Sequence, residues 1–315
     1  MKLILSTSNI VRGGSAFRPI GASKSNLELV SSLRSNFEHH ATDIVEQNGV
    51  SGVQYPAWTR YDALDKTLEV PRLDFSLSTL EEEREQYDIT LKLFYLPGTS
   101  AQDRDAQTRE AVRLVLEELH MPSVDLLIAC FPGVYFDEEE DCPTKISTRG
   151  PVETAPEPLA DQITTWKVLE ELYTEGLVKR LGVAEFGHDR LQSFLAEATI
   201  KPGVDQINLR DCCSVPQDLM KLAKTQQVDL LVHNDCSNVL PRGTFRELLG
   251  PGGAGILAGN TQTGEKRKEL HGEEPKTAGI SGEVHPQWVV KYTAVVKNRG
   301  VVENKGYFAI AEVDD

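Results

Sequence analysis

The sequence predicts an α/β fold, a parallel sheet of eight strands closed into a barrel, on three observations. From about residue 89 onward, apolar β-like runs alternate strictly with segments of helical periodicity, the pattern of parallel strands joined by crossover helices. Two β runs in the N-terminal third and six later ones (89–97, 124–132, 179–186, 204–209, 228–235 and 301–310) make eight, the count that favours closure. A chain of 315 residues has room for one such barrel, since these commonly exceed about 250 residues.

In order, "LILSTSN" (3–9) reads as the first strand and "NLELVSSLRSNFEH" (26–39) as a helix. "TLEVPRLDFSL" (67–77) is the second strand. "DITLKLFYLP" (88–97) is a strongly apolar β run. The segment after it, 105–120, places Val112, Val115, Leu116 and Leu119 at helical spacing. "VDLLIACFP" (124–132) is the next strand, and "QITTWKVLEELYTEG" (162–176) a helix that Gly176 can close. "KRLGVAEF" (179–186), "VDQINL" (204–209) and "VDLLVHND" (228–235) are strands. Between them lie the helices "DRLQSFLAEA" (189–198) and "PQDLMKLAKTQQ" (216–227), the latter opened by Pro216. "HPQWVVKYTAVVKNRG" (285–300) reads as a last helix and "VVENKGYFAI" (301–310) as a last strand.

Two stretches break the rhythm. Residues 137–160 are acidic and proline-rich, and residues 250–285 are glycine-rich and polar, so both read as disordered-looking insertions, mobile loops on one barrel spanning 1–315. The acidic runs at 81–85 and 137–141 read as solvated faces.

Composition narrows the function classes. With 33 basic against 48 acidic residues the formal net charge is −15, a field that repels nucleic-acid phosphates and anionic lipid. No apolar run reaches the ~20 residues of a membrane span, and the short apolar N-terminal stretch reads as a strand rather than a secretory signal. The five cysteines include no C-x-x-C pair, so neither a zinc site nor a disulfide framework is expected. Reduced thiols point to a cytoplasmic protein.

"WKVLEELYTEGLVKRLGVAEF" (166–186), "KPGVDQINL" (201–209) and "VDLLIACFP" (124–132) resemble the aldo-keto reductases. The resemblance covers roughly 89–235 and 285–306, and implies a (β/α)8 TIM barrel with its active site at the C-terminal mouth. In that family an Asp, a Tyr, a Lys and a His surround the substrate carbonyl beside NADPH. Lys92 matches the lysine, whereas Cys130 stands where the histidine would be, and a thiol orients a carbonyl poorly. None of the eight tyrosines has an aspartate five residues before it, as the family's Asp–Tyr spacing requires of the proton donor. The pair that holds the nicotinamide amide is Ala184–Glu185 here rather than Ser–Asn, and His233 takes the place of the stacking aromatic. Gln206 is retained, and Lys305 matches a family lysine, but the tail after it has no basic residue for a 2′-phosphate. Gln206 and Lys305 are thus weak cofactor relics, Lys92 and Cys130 relics of catalysis, and no cofactor is expected.

Two further segments, "DQINLRDCCSVPQDLMKLAKTQQVDLLVHND" (205–235) and "QWVVKYTAVVKNRGVVENKGYFAIA" (287–311), resemble the regulatory, or modifier, subunits of glutamate–cysteine ligase. That resemblance implies a non-catalytic activator in glutathione biosynthesis. Its partner would be the ligase's catalytic subunit, in a heterodimer with better glutamate affinity and weaker inhibition by glutathione. The competing expectation is an NADP-dependent oxidoreductase. Cys212 and Cys213, in a loop after a strand, are candidate partner contacts. Asn234 and Asp235 are further candidates for the partner surface, and their side chains are expected to N-cap the following helix. His233 and Asp235 alone fall short of a metal site. Cys130 is expected to be a buried structural thiol, and Lys92 to meet a carboxylate or stay wet at the mouth.

Overall fold

The computed structural model describes residues 1–11, 25–41, 49–50, 53–77, 80–136, 154–209, 214–235, 238–258 and 279–314. Strand β1 (Lys2–Ser6) leads through helix α1 (Ser25–Ala41) to a small hairpin, β2 (Gly49–Val50) and β3 (Val53–Gln54), then to β4 (Arg60–Asp62) and β5 (Thr67–Val70). A βα series follows: β6 (Tyr87–Tyr95), α2 (Arg104–Leu119), β7 (Leu126–Cys130), α3 (Leu159–Thr174) and β8 (Leu181–Ala184). It continues with α4 (His188–Glu197), β9 (Val204–Ile207), α5 (Gln217–Gln226) and β10 (Asp229–Val232). After α6 (Thr244–Leu249) come two long strands, β11 (Val284–Val296) and β12 (Val301–Val313).

Ten strands form one sheet in the order β10-β9-β8-β7-β6-β11-β12-β1-β5-β4. Strands β6 to β10 are parallel, each joined to the next by a helix, and so are β1 and β5. The α/β class and the expected strand–helix alternation of residues 87–232 are present. The helical spacing read in 105–120 holds too: Val112, Val115 and Leu119 are buried, and Leu116 packs against the same core. Helix α3 gives way to Gly176 at φ +80, the left-handed closure that glycine adopts without strain.

One element differs in kind. Residues 285–300, expected as a helix, are mostly strand β11, which pairs antiparallel with β6 on one side and β12 on the other. Trp288, Val290, Tyr292, Ala294 and Val296 are all buried at a spacing of two, and β-branched and aromatic residues dominate the run. The apolar residues of this segment fit a doubly covered strand, and Gly300 at φ +61 turns the chain into β12. The hairpin β11–β12 therefore sits between β6 and β1. Among the described residues no pairing joins β10 to β4.

Two apolar cores cover the two faces of the sheet. Ile89, Leu91 and Leu93 of β6 face a core shared with Val115 of α2, Trp166 of α3 and Phe194 of α4. On the opposite face, Phe94, Val289 and Ala309 pack with Leu29 and Leu33 of α1 and with Leu248 of α6. Alternation along β6 thus puts Lys92 on the α1/α6 face, beside Phe94.

Of the two expected insertions, 137–153 and 259–278 lie outside the described residues, together with Cys142. Their flanks pack closely. Glu157 accepts both guanidinium nitrogens of Arg104, which is 1 % exposed. Gly133, at φ +67, faces the carbonyl of Ala155, leaving no room for a Cβ. Ile256 and Leu257 are buried, and Leu257 bridges to Ile280.

Candidate functional site

The C-terminal ends of β7 to β10 deliver polar side chains to one place on the α1/α6 face, and β6 and β11 complete it. Lys92 rises from β6 and is almost fully buried, its side chain 5 % exposed. Its Nζ donates to Gln206 Oε1 of β9 at 2.7 Å and pairs with Asp235 Oδ2 at 3.0 Å. Lys291, directly opposite Lys92 in the β6–β11 register, donates to Asp235 Oδ1 at 2.8 Å. Like charges facing one another across two strands repel. The Asp235 carboxylate, one oxygen for each lysine, removes that repulsion.

A second pair lies beside the first. His233 Nδ1 accepts the backbone N–H of Asp235 at 3.0 Å, which places the ring proton on Nε2. That Nε2 is 2.5 Å from Glu185 Oε1 but off the axis of a hydrogen bond. The other Glu185 oxygen accepts the N–H of Phe136 at 3.0 Å, and the Glu185 N–H donates to the carbonyl of Gln206. Glu185 holds φ +68, an uncommon backbone state outside glycine. Two hydrogen bonds and the contact with His233 fix it there.

Protonation follows from burial and neighbours. Burial opposes the Lys92 charge, but the Asp235 and Glu185 carboxylates outweigh it and hold its pKa above the ordinary lysine value. Burial likewise works against the Asp235 carboxylate, yet Lys92 and Lys291 keep it far below the usual range. Burial pushes the Cys130 thiol up to about 12. Lys92 and Cys130 therefore keep their protons at neutral pH, and Asp235 takes none. None of the three is poised near 7, where a general acid or base works best.

The other expected site residues fall in different places. Lys305, on β12, pairs with Glu28 of α1 at 2.6 Å, and the hydroxyl of Tyr307 donates to the same carboxylate. Asn234 is exposed. Asp235 does not N-cap a helix: α6 begins at Thr244 behind Gly243, and the Asp235 carboxylate turns inward because buried Lys92 and half-buried Lys291 need a counter-charge. Cys212, Cys213 and Cys236 lie outside the described residues. Lys92, Cys130, Gln206 and Asp235 do converge. Sequence reasoning missed the partnership of Lys291, Glu185 and His233 with them. The signal for Lys291 was the period-two apolar pattern of 288–296, which puts Lys291 in a strand.

No helix among the described residues is long and apolar enough to cross a membrane. Among the same residues, no group of three or more His, Cys, Asp or Glu side chains could hold a metal ion.

Comparison with known proteins gives four matches. The sequence pattern of the Aldo/keto reductase family matches residues 73–244. A putative glutamate–cysteine ligase regulatory subunit of Schizosaccharomyces pombe is 27% identical over 233 residues, 72% of each chain. The human glutamate–cysteine ligase regulatory subunit is 26% identical over 231 residues, 73% of this chain and 68% of that one. Among solved structures, the aldose reductase of Giardia lamblia is 28% identical, with a TM-score of 0.34 over 47% of this chain and 46% of that one.

Proposed function

The chain belongs to the aldo/keto reductase family, and from that premise we propose that it is a non-catalytic regulatory subunit of glutamate–cysteine ligase. In this reading it binds the ligase's catalytic subunit as a heterodimer in the cytoplasm, improves its glutamate affinity and relieves inhibition by glutathione. The observation that carries the proposal is the similarity to regulatory subunits over nearly three quarters of the chain.

The geometry of the mouth supports it. In the reductases a lysine tunes a tyrosine that protonates the substrate; here the Lys92 ammonium is held by Gln206 and Asp235. The positions that would hold the cofactor do not suit it. Glu185, where an amide-binding asparagine would stand, is bound to Phe136 and His233, and Lys305 is bound to Glu28. A nicotinamide there would meet a buried carboxylate.

A regulator needs no reactive group. A chain that binds its partner's substrate-competent conformation more tightly than the alternative shifts the equilibrium toward it. Coupling of about 1–3 kcal/mol changes substrate affinity by roughly 5- to 150-fold.

The test is co-expression with the catalytic subunit, followed by size-exclusion chromatography and glutamate-saturation kinetics. Co-elution with a lowered KM for glutamate is expected; separate elution overturns the proposal. Family membership keeps the oxidoreductase reading alive as the alternative. Tight NADPH binding in a fluorescence titration, together with carbonyl turnover, would establish that alternative instead.

A further inference from the structure

The parallel series ends at β10, whose outer edge is unpaired among the described residues, and the geometry points to this edge as the docking site for an extended segment of a partner protein. Strand β10 is the terminal strand of the sheet. The N–H of Asp229 donates to Gly203 and that of His233 to Ile207, both inward to β9 and its approach. Along a parallel strand successive residues address opposite neighbours, so the N–H and C=O of Leu230 and Val232 point away from β9. Among the described residues nothing pairs with them.

The side chains agree with the backbone. Strands β8 and β9 are buried along almost their whole length, as expected in a parallel sheet covered on both faces. In β10, Leu231 is 40 % exposed and Val232 60 %. Met220, on the helix α5 that leads into this strand, is 45 % exposed. Proteins usually protect an exposed strand edge with lysine, proline or a bulge. β10 has none of these, only Asp229 at its start, paired to Arg180.

The occupant is one extended strand with apolar side chains on both faces. Main-chain hydrogen bonds to Leu230 and Val232 supply affinity, and side chains on its two faces cover Leu231 on one side of the sheet and Val232 on the other. A second copy of this chain is disfavoured, because two molecules of formal charge −15 repel. A segment with basic flanks suits that field. This inference rests on the regulatory-subunit reading for the identity of the partner, the ligase's catalytic subunit.

Val232→Pro tests it. Proline removes only an N–H that points outward, and an edge strand tolerates it, so the ladder to β9 survives. Circular dichroism and thermal melting should match the parent chain. Affinity for the catalytic subunit should fall at least tenfold, and amide exchange at Leu230 and Val232, fast in the free chain, should slow in the complex. A folded Val232→Pro chain that binds as tightly as the parent overturns the edge site while leaving the regulatory reading standing, as does a complex without protection at those two amides. Failure of the parent chain to bind the catalytic subunit overturns both. Protection of the same amides in the isolated chain at high concentration would assign the edge to a second copy and overturn the occupant named here.

Discussion

Asp235→Asn should be among the most destabilising single changes in this protein, although it removes no atom from the packing. The substitution takes away the carboxylate charge that Lys92, 3.0 Å away, and Lys291, 2.8 Å away, share. Two ammonium groups are then left on directly opposed positions of β6 and β11. Removing one partner of a buried ion pair costs about 3–5 kcal/mol. At roughly 2 °C per kcal/mol for a chain of this size, Tm falls by about 6–10 °C. Lys92→Met should cost less, about 1–3 kcal/mol, because Asp235 keeps Lys291 as its counter-charge, while its Oδ2 and Gln206 Oε1 each lose one donor. The double variant should lose less than the sum of the two singles, the mark of direct coupling. The pH dependence has a fixed sign. The folded pKa of Asp235 is depressed, so its contribution is fully present above the unfolded value of about 3.9 and is lost as pH falls towards the folded one. Urea unfolding from pH 7 to pH 3 reads all of this: the gap between parent and Asp235→Asn should hold steady above about pH 5 and narrow below it. An Asp235→Asn chain within about 1 kcal/mol of the parent at pH 7, or a gap indifferent to acid, would refute the reasoning.

Three other outcomes are expected. The Cys130 thiol, pushed up to about 12 by burial, should resist iodoacetamide in the native chain at pH 8 and react only after denaturation; rapid native labelling at Cys130, located by peptide mapping, would contradict this. Arg104→Met should leave the Glu157 carboxylate without its guanidinium and cost about 3–5 kcal/mol in urea, and a near-neutral result would show that the flank 154–158 does not depend on it. His285, beside Asp314, should titrate above the ordinary histidine value of about 6.5 by NMR and return to it in Asp314→Asn. The associated stability is present below the unfolded value and lost as pH rises through the folded one.

How far the fold was legible depended on how local its causes were. Residues 87–232 could be read because each strand is a short apolar run and each helix shows its own 3.6-residue period, as Val112, Val115 and Leu119 do in α2. The segment 285–300 was misread because Val289 and Val295 on the second face blur the period-two alternation of Trp288, Val290, Tyr292, Ala294 and Val296. Its Val, Tyr and Thr content was the better guide. The mouth was legible in part. Lys92, Cys130 and Gln206 lie at strand positions that the family pattern fixes, so they could be placed together from sequence. Asp235 was assigned a local capping role because local reasoning offers one to any Asp after a strand. Its actual partners are 143 and 56 residues away in sequence, and no short window contains them.

The buried charges and the open edge are mechanically linked. Asp235 follows β10 by three residues, and its carboxylate ties the C-terminal end of that strand inward to β6 and β11. The N–H of His233 donates to Ile207 and that of Asp235 to the His233 ring, so the chain leaving the strand is fixed at consecutive turns. An edge strand receives a partner only if its own backbone is already held in extended form, because ordering each residue costs about 1–2 kcal/mol. Freeing Asp235 should therefore weaken docking at Leu230 and Val232 without touching the docking surface. In amide exchange, Asp235→Asn should speed exchange at Leu231 and His233, whose N–H groups bond β9, before it affects the β6–β7 ladder. Its affinity for the catalytic subunit should drop severalfold at temperatures where the chain remains folded, whereas Lys92→Met, which leaves the Asp235–Lys291 tether intact, should bind and activate as the parent does. Unchanged affinity in folded Asp235→Asn, with β10 amides as slow as in the parent, would show that the edge is held by β9 alone.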